Sequence, residues 1–254
     1  MLDLPSVATW GACVRDAATG EVLLEQSPDA VLRTASVGKL LLLLEVAGRD
    51  LDAVLPRAAV APVADSGLWQ HLRVDALTVH DAAALVGAVS DNLATNALLG
   101  HVGLDAVDRL RQRLGLERTR LHDVVRDVRG PHDPPTLSTG TAGELSRLMA
   151  DLHAGRAVSP AASAQVLRWL APGTDLSMVA AAWGLDPLAH TSPDRGLQAW
   201  VKTGTDTGVR ADTGVLAGPR RAVAYAVLAE FDDADRDDVL AAMAGVGRVL
   251  RDLA

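Results

Sequence analysis

The stretch Leu197-Gln198-Ala199-Trp200-Val201-Lys202-Thr203 decides the fold, because it ends a long helical middle and opens a run of strands. Its apolar and β-branched residues predict one strand, with Lys202-Thr203-Gly204-Thr205 at its end. Asp212 to Ala217 predicts a second strand and Arg221 to Ala229 a third, joined by a Gly218-Pro219 turn. A closing helix follows over Asp235 to Leu253, with acidic residues at its start as the helix dipole favours. At the other end of the chain, residues 7–16 and 21–26 read as a hairpin around Ala17-Ala18-Thr19-Gly20. From about residue 34 to 190 the periodicity is helical. Its helices are a Leu-rich one that Ser36 precedes and that runs to about Gly48, one capped by Thr78 that runs to Val89, then Asn92–Gly100, Leu104–Leu114, Thr141–Ala154 and Ser159–Leu170. Residues 118–140, with Gly130-Pro131 and Pro134-Pro135, read as irregular.

Two N-terminal and three C-terminal strands predict an α/β fold with one five-stranded antiparallel sheet flanked by helices, plus an all-helical lobe. The expectation is a single domain over 1–254, with an α/β lobe from 1–34 and 195–254 and a helical lobe from 35–194. A binding cleft is expected between the lobes.

Composition narrows the function. Of 254 residues 49% are hydrophobic and 22% charged, an ordinary globular balance that excludes wholesale disorder. Only 3% are aromatic, too few for base-stacking platforms, and a net charge of −8 with no basic patch excludes nucleic acid as partner. The lone Cys13 excludes an internal disulfide and reads as a small core residue. The seven histidines show no metal-binding spacing, so neither a metal nor another cofactor is expected. The longest apolar run, Leu40 to Leu44, is far below the roughly 20 residues that span a bilayer, so no membrane is expected. The start lacks a leader pattern, so the chain as written reads as cytoplasmic, and as secreted if a leader was removed. Its 24 basic residues include only two lysines, Lys39 and Lys202.

Both lysines fall in short motifs. Ser36-Val37-Gly38-Lys39 places a hydroxyl and an amine three residues apart on one helix face. A desolvated lysine amine can take the serine proton and create a nucleophile, which a guanidinium cannot do. Read alone, the same residues are a serine N-cap and a surface lysine. Ser90-Asp91-Asn92 lies between two helices, where all three types also serve as N-caps. Lys202-Thr203-Gly204-Thr205 offers positive charge and close backbone approach for an anionic ligand, or simply a strand end entering a turn.

The three motifs in this order, spread over most of the chain, resemble those of the class A β-lactamase family, whose fold also serves penicillin-binding proteins. The stretches Asp65-Ser66-Gly67-Leu68, Leu77-Thr78-Val79-His80-Asp81 and Val89 to Asn96 resemble that family's sequence around its S-D-N. The resemblance implies an acyl-enzyme on Ser36, with Lys39 assisting proton transfer and Ser90 passing a proton to the leaving nitrogen. It implies that Asn92 binds the substrate amide carbonyl and that Lys202 and Thr203, beside Gly204 and Thr205, bind the substrate carboxylate. The backbone N–H groups of Ser36 and Thr205 would form the oxyanion hole. Arg210 either faces the carboxylate or is a plain surface arginine. The substrate class implied is a small-molecule β-lactam or a related amide or ester; oligomeric state is left open.

One departure bears on the chemistry. The family carries a glutamate in R-x-E-x-x-x-N that activates the deacylating water. Following Thr119-Arg120-Leu121, that pattern falls on Asp123, Val125 and Arg129. None of the six glutamates (21, 25, 45, 117, 144, 230) lies in this loop, so Asp127 or Asp123 must replace the base or the step is lost. A second departure is the start, where the family's N-terminal helix has no counterpart. The leading expectation is therefore a serine hydrolase of the class A type with impaired deacylation. The alternatives are a penicillin-binding-like protein that is acylated but hardly turns over, and a non-catalytic relative that keeps the cleft for binding. Trp69 reads equally as cleft wall or core, and His122 and His132 as loop surface.

Overall fold

In a computed structural model that describes residues 2–64 and 66–254, the two ends of the chain meet in one sheet. The chain runs β1 (Ala8–Asp16), β2 (Val22–Gln26) and a short β3 (Leu32–Arg33), then α1 (Lys39–Val46), β4 (Val54–Pro56), β5 (Ala76–Thr78), α2 (Val79–Val89), α3 (Asn92–Val102) and α4 (Leu104–Arg113). After β6 (Arg120–Leu121) and β7 (Ser138–Gly140) come α5 (Ala142–His153) and α6 (Pro160–Leu170). It ends with β8 (Gln198–Asp206), β9 (Val209–Ala217), β10 (Ala222–Phe231) and α7 (Arg236–Leu253).

The main sheet has the order β2-β1-β10-β9-β8, with every neighbouring pair antiparallel. Strand β8 is therefore an edge, and its outer row of backbone groups is open to a ligand. One face of the sheet packs on α5 and joins the core built around α1. The other face packs on α7 and the short 3-10 turn Val179–Trp183. Helix α1 is buried on all sides, Leu40 to Leu44 each being at most 1% exposed. Burying one leucine stabilises by roughly 1.5–3 kcal/mol. Five in a row hold this helix, and Lys39 at its start, in one place.

Short polar side chains start the surrounding helices. Thr78, Asp91, Thr141 and Ser159 each accept the amide three residues on, at 3.0, 2.9, 3.2 and 3.1 Å. Each satisfies an amide that the first helical turn leaves without a partner.

Two local details differ from expectation. Ser36 does precede the first helix, which begins at Lys39, but it lies in a 3-10 turn, Ala35–Gly38, and does not cap the helix. The carbonyl of Ala35 accepts a hydrogen bond from Ser138 Oγ at 2.6 Å. Second, Lys202-Thr203-Gly204-Thr205 does not end a strand. Strands β8 and β9 continue to a turn at Thr207-Gly208, where Gly208 takes a φ of +65°. Beyond α6 the helical pattern also gives way to irregular chain with the 3-10 turn 179–183. Among the described residues no helix is long and apolar enough to cross a membrane.

Candidate active site

The Ser36 turn is held from below by Ser138 on β7. Ser138 Oγ lies 2.7 Å from Thr34 Oγ1, and the Ser138 carbonyl accepts the Thr34 amide at 3.1 Å. Gly38 is required by the same contact, since a Cβ there would lie 2.3 Å from Ser138 Cβ. Ala35, directly before Ser36, has a φ of +44°, a conformation that costs a non-glycine residue on the order of 1–3 kcal/mol. The surrounding hydrogen bonds hold it there and turn Ser36 into the cleft that it lines.

Lys39 and Lys202 meet at Ser90. Lys39 Nζ donates to the Ser90 carbonyl at 2.7 Å, to Asn92 Oδ1 at 2.7 Å and to Ser90 Oγ at 3.2 Å. Lys202 Nζ donates to the same Ser90 Oγ at 3.0 Å and to the Thr203 carbonyl at 2.8 Å. Ser90 is the C-cap of α2 and adopts a left-handed conformation, with a φ of 57°. Asp91 anchors it: one carboxylate oxygen caps α3, and the other accepts the amides of Leu68 and Trp69 at 2.7 and 2.8 Å. Ser66 Oγ donates to the carbonyl of Val89 at 3.1 Å, and Asn92 Nδ2 to that of Ala64 at 3.3 Å. Asp65, part of the quoted resemblance, lies outside the described residues.

Strand β8 presses against the Ser36 turn at Gly204. A Cβ on Gly204 would lie 2.2 Å from the Thr34 carbonyl and 3.0 Å from the Ser36 nitrogen. Only glycine allows this approach, which brings the edge of β8 at Thr205 beside Ser36. Lys202 is 2% exposed, and burial lowers its pKa to about 8, while Asp175 and Asp212 act against the shift. Asp212 lies on the far face of the sheet, accepting from Tyr225 Oη at 2.8 Å and from Val179 N at 2.9 Å. Burial raises its carboxyl pKa to about 7.

The loop of residues 118–140 closes one side. Asn96 clamps Val125 through both backbone groups, accepting its amide at 2.8 Å and donating to its carbonyl at 2.9 Å. An apolar side chain thus lines the cleft where the resemblance expects a glutamate. Asp127 also lines the cleft, and its Oδ1 accepts the Ala64 amide at 2.9 Å. Asp123 does not line it. Its carboxylate pairs with Arg126 Nε and Arg129 NH1, each at 2.7 Å. Burial alone would raise the Asp123 pKa, but the hydrogen bonds from Arg126, Arg129 and the Val124 amide outweigh it and lower it.

Around these groups lies a cleft of about 710 Å³, lined by Ser36, Ser90, Asn92, Lys202, Thr203 and Thr205 among others. Arg210 is not in its lining. Its NH1 donates to the carbonyls of Asp206 and Val209 at 3.0 and 2.8 Å, and its guanidinium sits 5.9 Å from the Phe231 ring centroid. Trp69 is fully buried, which makes it core and not cleft wall. His122 is half-buried, with Nε2 2.8 Å from Thr139 Oγ1, while His132 is exposed. Sequence reasoning missed Ala35 and Ser138, which no motif marks because they act through backbone shape and carbonyl contacts. Gly38 and Ser66 lie inside quoted stretches that assign them no role.

Known proteins share this fold. The sequence profile described as the beta-lactamase enzyme family matches residues 4–253. The β-lactamase of Sphaerobacter thermophilus DSM 20745 superposes with a TM-score of 0.80 at 27% identity, covering 95% of this chain and 89% of that one. An ancestral (GNCA) class A β-lactamase gives 0.80 at 25% identity, covering 98% and 95%. A structure of PBP-A gives 0.81 at 20% identity, covering 99% and 92%, a likeness of fold. No curated protein sequence matches the chain.

Proposed function

The chain belongs to the beta-lactamase enzyme family, and on that premise we propose that it is a serine hydrolase of the class A type that acylates readily and deacylates slowly. The observation that carries this reading is the shared hydroxyl: Lys39 and Lys202 converge on Ser90 Oγ at 3.2 and 3.0 Å, with Ser36 in the same cleft. Ser36 Oγ loses its proton to the Lys39 amine and attacks the carbonyl carbon of a β-lactam or related amide or ester. The developing oxyanion takes hydrogen bonds from the backbone N–H groups of Ser36 and Thr205. Each donor lowers the barrier by roughly 3 kcal/mol. As the carbon–nitrogen bond breaks, the nitrogen takes a proton from Ser90 Oγ, which regains one from the lysines. Lys202 and Thr203 hold the substrate carboxylate, and Asn92 the amide carbonyl.

The acyl ester on Ser36 then needs a water that gives up a proton. Val125 cannot accept one. Asp123 is occupied by Arg126 and Arg129, and Asp127 is tied to Ala64. These contacts favour a long-lived adduct over rapid turnover.

The test is incubation with a chromogenic cephalosporin, followed by intact-mass measurement and peptide mapping. The expected result is a stoichiometric colour burst, a mass adduct on Ser36 and slow release. Many rapid turnovers would leave the family reading and overturn slow deacylation. Neither colour nor adduct, with ligand binding intact in Ser36→Ala, would indicate a non-catalytic binding relative.

A further inference from the structure

A second cavity, of about 550 Å³, adjoins the cleft, and Ala64 and Asp127 line both. Its wall includes the apolar side chains of Val60, Pro62, Val63 and Leu93, of which Val63 and Leu93 belong to the core around α1. Two charged side chains, Arg57 and Asp127, also line it, and both already hold backbone groups. The Arg57 guanidinium donates to the carbonyls of Trp69, Gln70 and Leu72 at 3.1, 3.1 and 2.8 Å. Asp127 Oδ1 accepts the Ala64 amide at 2.9 Å. These bonds fix the shape of the cavity before a ligand enters. What the cavity then presents to a ligand is its apolar surface, and an apolar group gains by leaving water for it.

Asn92 decides which part of a substrate comes here. Its Oδ1 holds Lys39 at 2.7 Å, and its Nδ2 donates to the Ala64 carbonyl at 3.3 Å. An amide NH2 has two donors, so the second remains for the amide carbonyl of the acyl side chain. Two acceptors on one nitrogen lie at most about 6 Å apart, the sum of two hydrogen bonds. The acyl chain beyond that carbonyl therefore starts beside Ala64, in the wall that the two cavities share. Another apolar cavity, of about 290 Å³, shares Thr174 and Asp175 with the cleft. Asp175 acts on the Lys202 charge, so that cavity adjoins the end that takes the carboxylate. Resting on the acyl-transfer reading above, we infer that the cavity behind Ala64 and Asp127 is a subsite for the acyl side chain and selects substrates that carry a long apolar one.

Penicillins with acetyl, butanoyl, hexanoyl and octanoyl side chains test this, because they differ only in chain length. Equilibrium binding is read on Ser36→Ala and acylation rate on the parent. Both should rise along the series, roughly three- to fourfold for each methylene that enters the cavity, the scale of one buried CH2. Two further variants are built on each background. Ala58→Trp fills the cavity from its exposed rim, and Val60→Asp puts a charge in its half-buried wall. Each should flatten the series and leave the acetyl compound unchanged, which also shows that the variant has folded. A flat series in Ser36→Ala itself overturns the inference. So does an equally steep one in both variants, which would mean that the chain lies elsewhere. A length-dependent affinity in Ser36→Ala with no adduct on the parent would support the subsite and count against the acyl-enzyme reading alone.

Discussion

The Ser90 hydroxyl accepts a 3.0 Å hydrogen bond from the Lys202 ammonium, a residue 112 positions further along the chain. One partner caps a helix and the other sits in the edge strand of the sheet. The contact ties the helical and strand parts together at the point where a leaving group needs a proton. Lys39 reaches the same oxygen from the start of α1 at 3.2 Å. Three parts of the chain thus converge on one atom, and each lysine has a separate consequence.

Lys39→Arg should lower acylation about 10²–10⁴-fold, the usual contribution of a positioned proton acceptor. Guanidinium keeps its proton, and Lys39 is fully buried. Stopped-flow acylation with a chromogenic cephalosporin measures it. Acylation as fast as the parent's would remove Lys39 from the proton path.

Lys202 should make substrate capture depend on pH. Its folded pKa of about 8 lies below a lysine's usual 10.5, so the ammonium is lost as pH rises through about 8. Acylation by carboxylate-bearing substrates should fall over the same range. Stability should move the other way. Below pH 8 both folded and unfolded chains carry the charge, and the cost of burying it is constant. Between 8 and 10.5 the unfolded chain binds a proton that the folded one does not, so stability rises with pH, by on the order of 3 kcal/mol in the limit. Denaturation of the parent and Lys202→Met at pH 7 and 10 isolates the effect. Identical pH dependence in the two proteins would contradict it.

Gly204→Ala should disrupt the oxyanion hole without touching a charged group. The added methyl would lie 2.2 Å from the Thr34 carbonyl and 3.0 Å from the Ser36 nitrogen, both backbone atoms that cannot swing aside. Overpacking of this kind costs about 1–3 kcal/mol. The edge strand should move off the Ser36 turn, lowering the melting temperature and slowing acylation by every substrate alike. A variant with normal acylation would show that Thr205 needs no such approach.

Much of this was legible beforehand because period and chemistry agreed. The alternating apolar residues of the first and last strands, and the caps Thr78 and Ser159, carry local signals that survive in the structure. The two lysines stood out because nearly every other base is arginine. Legibility failed where one segment's conformation depends on another. The strand through Lys202 runs on past Gly204 because β9 pairs with it to Asp206, and no local feature of Gly204 says so. Ser36 sits in a 3-10 turn whose preceding carbonyl accepts from Ser138, about a hundred residues away, a contact that no local pattern announces. Arg210 reads as a candidate for the carboxylate, yet its side chain turns back onto carbonyls at Asp206 and Val209.

Asp123→Asn should loosen the loop that closes the cleft. Its carboxylate holds Arg126 and Arg129 together, and the latter also donates to the Pro134 carbonyl at 3.0 Å. The folded pKa is lowered, so the stability it contributes is present above the unfolded carboxylate value of about 3.9 and is lost as pH falls through the lower folded one. Hydrogen exchange across residues 118–140 should speed up in the variant at pH 7. Unchanged protection there would show that the loop is held by other contacts.

Val125→Glu should convert a lasting adduct into turnover. The backbone of residue 125 is already clamped by Asn96 at 2.8 and 2.9 Å, and the side chain lines the cleft that contains Ser36. A carboxylate placed there can take a proton from water as it attacks the ester, and general-base help of this kind contributes roughly 10²–10⁴-fold. Arg126 and Arg129 line the same cleft and would stabilise the ionised form without removing its ability to act, since both remain paired to Asp123. Deacylation is read as the decay of the intact-mass adduct. Asp127→Asn is the companion measurement. If Asp127 already supplies a base, its removal should lengthen the adduct's life in the parent and Val125→Glu should add little. If Val125 marks a lost step, Asp127→Asn should leave the lifetime unchanged and Val125→Glu should shorten it by at least tenfold, on the scale of that general-base contribution.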